Sequence, residues 1–264
     1  MPLHNGVRRA LDHSPYPVGC ALHLPVYERA ATDRLIAAAR CHHLFRTAGK
    51  ECLVYFSRRG ETIATSFPEQ DPSMLPNIEL PPSDYPLLLP WPADGNPGAI
   101  LQFDDPAAWR AFILDLGIDP LIPRIVGAKF ARAQKLYLLA WLDADLIKAG
   151  ELVALTALEL AVTDRYGGHY CKRKPSFAAL LRHMVDEDGL TDGAIPMVTR
   201  CGGTAIGQLT GETKPTLAER RNGLAHGDPF DGAPVGGLLE LVRDLINYAY
   251  RDYVAEARAG CFAT

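Results

Sequence analysis

Apolar residues fall into two regimes along the chain. After residue 127 they recur at helical spacing. That spacing predicts a helix over 128–146, with Phe130, Ala133, Leu136, Tyr137, Ala140 and Trp141 on its apolar side. A second helix, over 151–166, follows Gly150. It is apolar around most of its circumference and therefore belongs at the centre. Gly167 and Gly168 end it. Residues 176–186 read as a third helix, with Phe177, Leu180, Leu181 and Met184 inward. Residues 216–226 read as a fourth. Residues 235–257 read as a fifth, with Leu238, Leu241, Val242, Leu245, Ala249 and Tyr253 in register. Short connections between such helices imply antiparallel neighbours in a bundle.

Before residue 127 the pattern is interrupted. The first 130 residues hold 16 of the 21 prolines, and proline breaks helices and central strands alike. A helix is expected over 27–47, from Ala31, Leu35, Ile36, Ala39 and Leu44, with Gly49 as its stop. Residues 52–56 and 62–67 flank Arg58, Arg59, Gly60 and Glu61 and read as a hairpin. Residues 68–97 form a long proline-rich stretch, and loops of that length are often functional or draped over a surface. A strand is expected over 99–103. Asp105 then opens a short helix carrying Trp109, Phe112, Ile113 and Leu116. The expected fold class is α+β: a proline-rich mixed α/β region over 1–127 and an all-α antiparallel bundle over 128–264.

Composition narrows the function classes. The chain has 264 residues and a formal net charge of −4, shared evenly between the two regions. A broad duplex-DNA coat needs a basic face, which this balance does not supply. No apolar run reaches the roughly 20 residues of a spanning helix. The first 20 residues carry no secretory pattern, so a cytoplasmic setting without membrane partners is expected. The six cysteines are widely spaced with no C-x-x-C pair, and they read as reduced thiols.

The chemistry concentrates between Thr216 and Asp228. Thr216 and Glu219 have the spacing of a capping box, which starts a helix there. Gly227 stands where a left-handed C-terminal residue is expected. His226 therefore sits in the last turn, suited to proton exchange near neutral pH. Asn222 and His226 are four apart and share a face, so the amide is placed to orient the imidazole. Arg221 lies five positions before His226, about 140° round an ideal helix. Either its long side chain wraps round, or a second copy of the chain completes the site.

Arg221, Asn222 and then His226, on a capped helix between an apolar bundle helix and a long last helix, resemble the HEPN superfamily. Its signature is Arg, four to six residues, then His. The resemblance covers the helical half and says nothing of the residues before 128. It implies a HEPN-like bundle acting as a homodimer without cofactor or metal. Many members are endoribonucleases, toxins or defence effectors; others are non-catalytic interaction modules. On this resemblance His226 is the acid/base group in attack of a ribose 2′-hydroxyl on the adjacent phosphate. Arg221 stabilises the charge developing there, and Asn222 positions the imidazole or a phosphate oxygen. An RNA substrate and a regulator or antitoxin partner are implied with it. The other expectation is a dimerisation module in which Arg221 and His226 hold the interface.

Other candidates are simpler. Lys172, Arg173 and Lys174, with Arg220, are basic residues suited to RNA phosphates, although a charge run in a loop is usually just solvated. Thr156, Glu159 and Thr163 form a polar stripe, read first as solvated; the alternative pairs Glu159 with Arg221 inside the bundle. Cys41, His42 and His43 point about 100° apart on a helix and do not converge on one ion. No Walker A loop, nucleophile elbow or zincin motif is present.

Overall fold

The computed structural model describes residues 46–47, 50–51, 53–56, 62–65, 78–170, 174–227 and 233–261. The chain divides into two compact units, Met1–Gln70 and Asp71–Thr264. In the first, backbone pairing is antiparallel. β1 (Arg46–Thr47) pairs with β2 (Lys50–Glu51), and β3 (Leu53–Phe56) with β4 (Thr62–Thr65). β3 and β4 lie within the two segments expected to pair, with Leu53 opposite Thr65 and Phe56 opposite Thr62. The helix expected over 27–47 lies outside the described residues except for Arg46 and Thr47, which are in a strand.

Among its described residues the second unit is mostly helical, with one small two-stranded antiparallel sheet, an α+β composition. Its strands are β5 (Leu87–Pro90) and β6 (Ile100–Phe103), and β5 falls within the proline-rich stretch that was expected to be loop. Helices α1 (Pro106–Asp115), α2 (Arg124–Leu139), α3 (Leu146–Tyr166) and α4 (Phe177–Asp186) follow. Then come two short helices, α5 (Pro196–Cys201) and α6 (Ile206–Thr210). The last are α7 (Leu217–His226), α8 (Leu238–Ala249) and α9 (Arg251–Cys261). The expected central helix is central: α3 packs against α2, α4, α7 and α8. Ala154, Leu155, Ala157, Leu158, Ala161 and Val162 along it are buried.

Helix starts agree with the sequence where a local cap sets them. Asp105 accepts from the backbone N–H groups of Ala107 and Ala108 at the head of α1. Ser176 caps α4 through Ala179 N. The boundaries differ where tertiary packing sets them. Gly150 does not precede α3 but lies inside it. A methyl group there would stand 2.7 Å from Cδ2 of Tyr137, so the missing side chain is what lets α3 cross α2 closely. The single helix expected over 235–257 is two, broken at Tyr250. That residue is wholly buried and donates its hydroxyl to Asp164 Oδ2 at 2.7 Å.

The division expected near residue 127 falls inside a shared core. Leu89, Trp91, Trp109 and Ile113 are buried in the same cluster as Phe130, Tyr137 and Leu158. Trp109 Nε1 donates to the carbonyls of Tyr137 and Leu138, at 3.1 and 3.2 Å, which satisfies backbone acceptors at the end of α2. Gln134 does the same for α1, donating to the carbonyls of Ile113 and Leu116. Proline content marks where helices cannot run, not where a core ends.

Candidate functional site

The site is built on α7. Thr216 Oγ1 accepts from Glu219 N at 3.0 Å, and Glu219 Oε2 accepts from Thr216 N at 2.9 Å, so the capping box is complete. Lys214 pairs with the other oxygen of Glu219. With the Thr216 N–H, it holds that carboxyl below its ordinary range. At the far end Gly227 adopts φ 70°, and its N–H returns to Gly223 O. A residue with a side chain is strained at that φ, so a glycine closes the helix directly after His226. His226 and Asn222 are both exposed.

Arg221 is about a quarter exposed, as is Glu159 of α3, and the two meet. Arg221 Nε donates to Glu159 Oε2 at 2.9 Å, Nη2 donates to the same oxygen, and Nη1 donates to Asn222 Oδ1 at 2.8 Å. Two expectations change. The polar stripe on α3 is not simply solvated, because Glu159 is the partner of Arg221. Thr156 satisfies itself on its own helix, donating to Leu152 O. And Asn222 gives its amide oxygen to Arg221 rather than to the imidazole.

Arg220 points elsewhere. It is half-buried, with its Nε out of solvent, and its charge acts on Glu151 of α3. Glu151 is almost wholly buried. It receives the N–H of Val235 and pairs with Lys148 at 3.3 Å, while Lys148 also donates to Ala233 O at 2.9 Å. Burial raises the Glu151 carboxyl, and the Val235 N–H and Lys148 pull it part of the way back. This cluster anchors residues 233–235, which lead into α8. Sequence reasoning missed it because the helix was started at Glu151 itself, so the approach of Lys148 one turn earlier was not visible.

Lys174 is exposed; Lys172 and Arg173 lie outside the described residues, as do Cys41, His42 and His43. Among the described residues no group of three or more His, Cys, Asp or Glu side chains is placed to hold a metal ion. None of the described helices is long and apolar enough to cross a membrane. No family model matches the chain, and no curated protein or solved structure matches it either.

Proposed function

We propose that the chain is a HEPN-like protein whose helical part binds or cleaves RNA as a homodimer, through the face of α7 that carries Arg221, Asn222 and His226. The observation that carries this reading is the bond from Arg221 Nη1 to Asn222 Oδ1. Around an ideal helix, positions 221 and 226 diverge by about 140°. The bond turns the guanidinium toward Asn222, the residue that shares a helix face with His226, and this supports a cation and an imidazole acting on one phosphate. Glu159 fixes the guanidinium from below. A guanidinium has five N–H donors, and the bonds to Glu159 and Asn222 use three. The others suit a phosphate oxygen, where charge-assisted bonds are strongest.

In the reaction, His226 takes the proton of a ribose 2′-hydroxyl while that oxygen bonds to phosphorus. The bond from phosphorus to the 5′-oxygen breaks, the leaving oxygen takes up a proton from solvent water, and His226 returns to solvent the proton it took. The products are a 2′,3′-cyclic phosphate and a 5′-hydroxyl. Incubation of the purified full chain with labelled RNA in a chelator is expected to give those ends, and His226→Ala to abolish them. Absence of cleavage, or full activity in His226→Ala, refutes the enzyme.

One observation favours the non-catalytic module: a guanidinium neutralised by Glu159 already serves to tie α7 to α3. In that case Arg221→Ala and His226→Ala change the mass measured by sedimentation and leave RNA untouched.

A further inference from the structure

Four rings gather where α3 ends against α4. His169 stands on the 3-10 turn Gly167–His169 and is exposed. Its ring centroid is 5.1 Å from that of half-buried His183, with 33° between the planes. Behind His183 lie Tyr166, at 5.0 Å, and Tyr170, at 6.0 Å. The backing is fixed. Tyr166 donates its hydroxyl to Asp188 Oδ2 at 2.6 Å, and both Asp188 oxygens are held by Arg251. Tyr170 donates to Ala179 O at 3.4 Å. The outermost ring of the group is thus inclined by 33° to the one beneath it and belongs to an exposed residue. Aromatic side chains held in this way are the usual partners of unpaired bases.

The cluster shares its helix with the site on α7. Glu159 and Tyr166 are seven apart on α3 and share a face. At 1.5 Å per residue they are about 10 Å apart along the axis, roughly three stacked nucleotides at 3.4 Å each. Helix α7 packs against both α3 and α4. Lys174, exposed just beyond Tyr170, supplies a cation for the backbone of a bound strand. Asp186 and Glu187, exposed at the end of α4, oppose a second phosphate there, so stacking rather than charge is the main attraction.

We infer that His169, backed by His183 and Tyr170, is a stacking platform for an unpaired base of a single-stranded RNA whose phosphate lies at Arg221 and His226. The inference rests on the RNA reading above.

The test measures fluorescence anisotropy of short labelled oligouridylate and oligoadenylate on the full chain, in a His226→Ala background that prevents cleavage. His169→Ala is expected to weaken both by about 5- to 150-fold, the effect of losing one stacked base. His169→Phe restores binding, and duplex RNA is indifferent to either change. Circular dichroism checks that the exposed substitution leaves the fold intact. Unchanged single-strand affinity in His169→Ala, or no rescue by Phe, overturns the platform. If the wild-type chain cleaves RNA while His169→Ala binds and cleaves equally well, the platform falls and the proposed function stands. If binding depends on His169 but no cleavage occurs, the platform stands on a non-catalytic binder. If the chain binds no RNA at all, both fall.

Discussion

The same substitution, glycine to alanine, is expected to act with opposite sign in two adjacent helices. In a helix interior alanine is favoured over glycine by roughly 1 kcal/mol, because it loses less backbone freedom on folding. At Gly127, in the first turns of α2, an added Cβ meets nothing within 4 Å. The propensity gain acts alone there, so Gly127→Ala should stabilise by about 0.5–1 kcal/mol. At Gly150 the same atom lies 2.7 Å from Cδ2 and 2.9 Å from Cε2 of Tyr137. Tyr137 is buried, so its ring has no open space to retreat into and α2 and α3 must separate slightly. Overpacking of this kind costs roughly 1–3 kcal/mol. Against a propensity gain of roughly 1 kcal/mol, Gly150→Ala should be destabilising by about 1 kcal/mol. The assay is urea unfolding followed by the helical circular dichroism signal, with midpoints compared at a common slope. Equal or higher stability of Gly150→Ala would refute the reading of Gly150 as the contact that sets the α2–α3 crossing. Destabilisation by Gly127→Ala would refute the reading of that position as open.

Three further outcomes are expected. Glu159→Gln leaves Arg221 with a neutral partner; since both groups are about a quarter exposed, the loss is screened to about 1–2 kcal/mol. A double-mutant cycle with Arg221→Gln in urea should recover most of it as coupling. Trp91→Phe removes the donor to buried Glu240 Oε2, a 2.9 Å bond; leaving that oxygen without it should cost about 1–3 kcal/mol by the same measurement. For Asp188, burial raises the carboxyl, but hydrogen bonds from Arg251 and Tyr166 outweigh it and hold the group below its ordinary value. A lowered folded-state pKa gives stability that is present above the unfolded value of about 3.9 and lost as pH falls through the folded one. Unfolding in urea across the acid range should therefore show a shallower acid loss in Asp188→Asn, from a lower neutral plateau.

Features that depend on a few neighbouring residues were legible in the sequence. Thr216 and Glu219 announce the start of α7 and Gly227 its end, because a cap is completed within four residues. Asp105 and Ser176 start α1 and α4 for the same reason. The largely apolar circumference of 151–166 marked α3 as central, since a helix apolar on most sides must be surrounded on those sides. On α7 the spacing of Arg221, Asn222 and His226 picked out the candidate site.

Partner choice was not legible, because it depends on residues distant in the chain. Glu159 lies 62 positions from Arg221. Only the packing of α7 on α3 decides that it meets the guanidinium rather than water. The same packing takes Arg220 Nε out of solvent, although its neighbour Arg221 meets Glu159. Gly150 reads on its own as the residue before a helix, yet the ring of Tyr137 makes it a point where two helices touch. Tyr250 interrupts a continuous apolar register, and its hydroxyl is held by Asp164, 86 positions away. Trp91 and Trp109, set among prolines, join the core of the helices they precede. Local backbone chemistry is encoded within a turn of chain. Burial, and with it the charge partner of each ionisable group, exists only after distant segments have displaced water from between them.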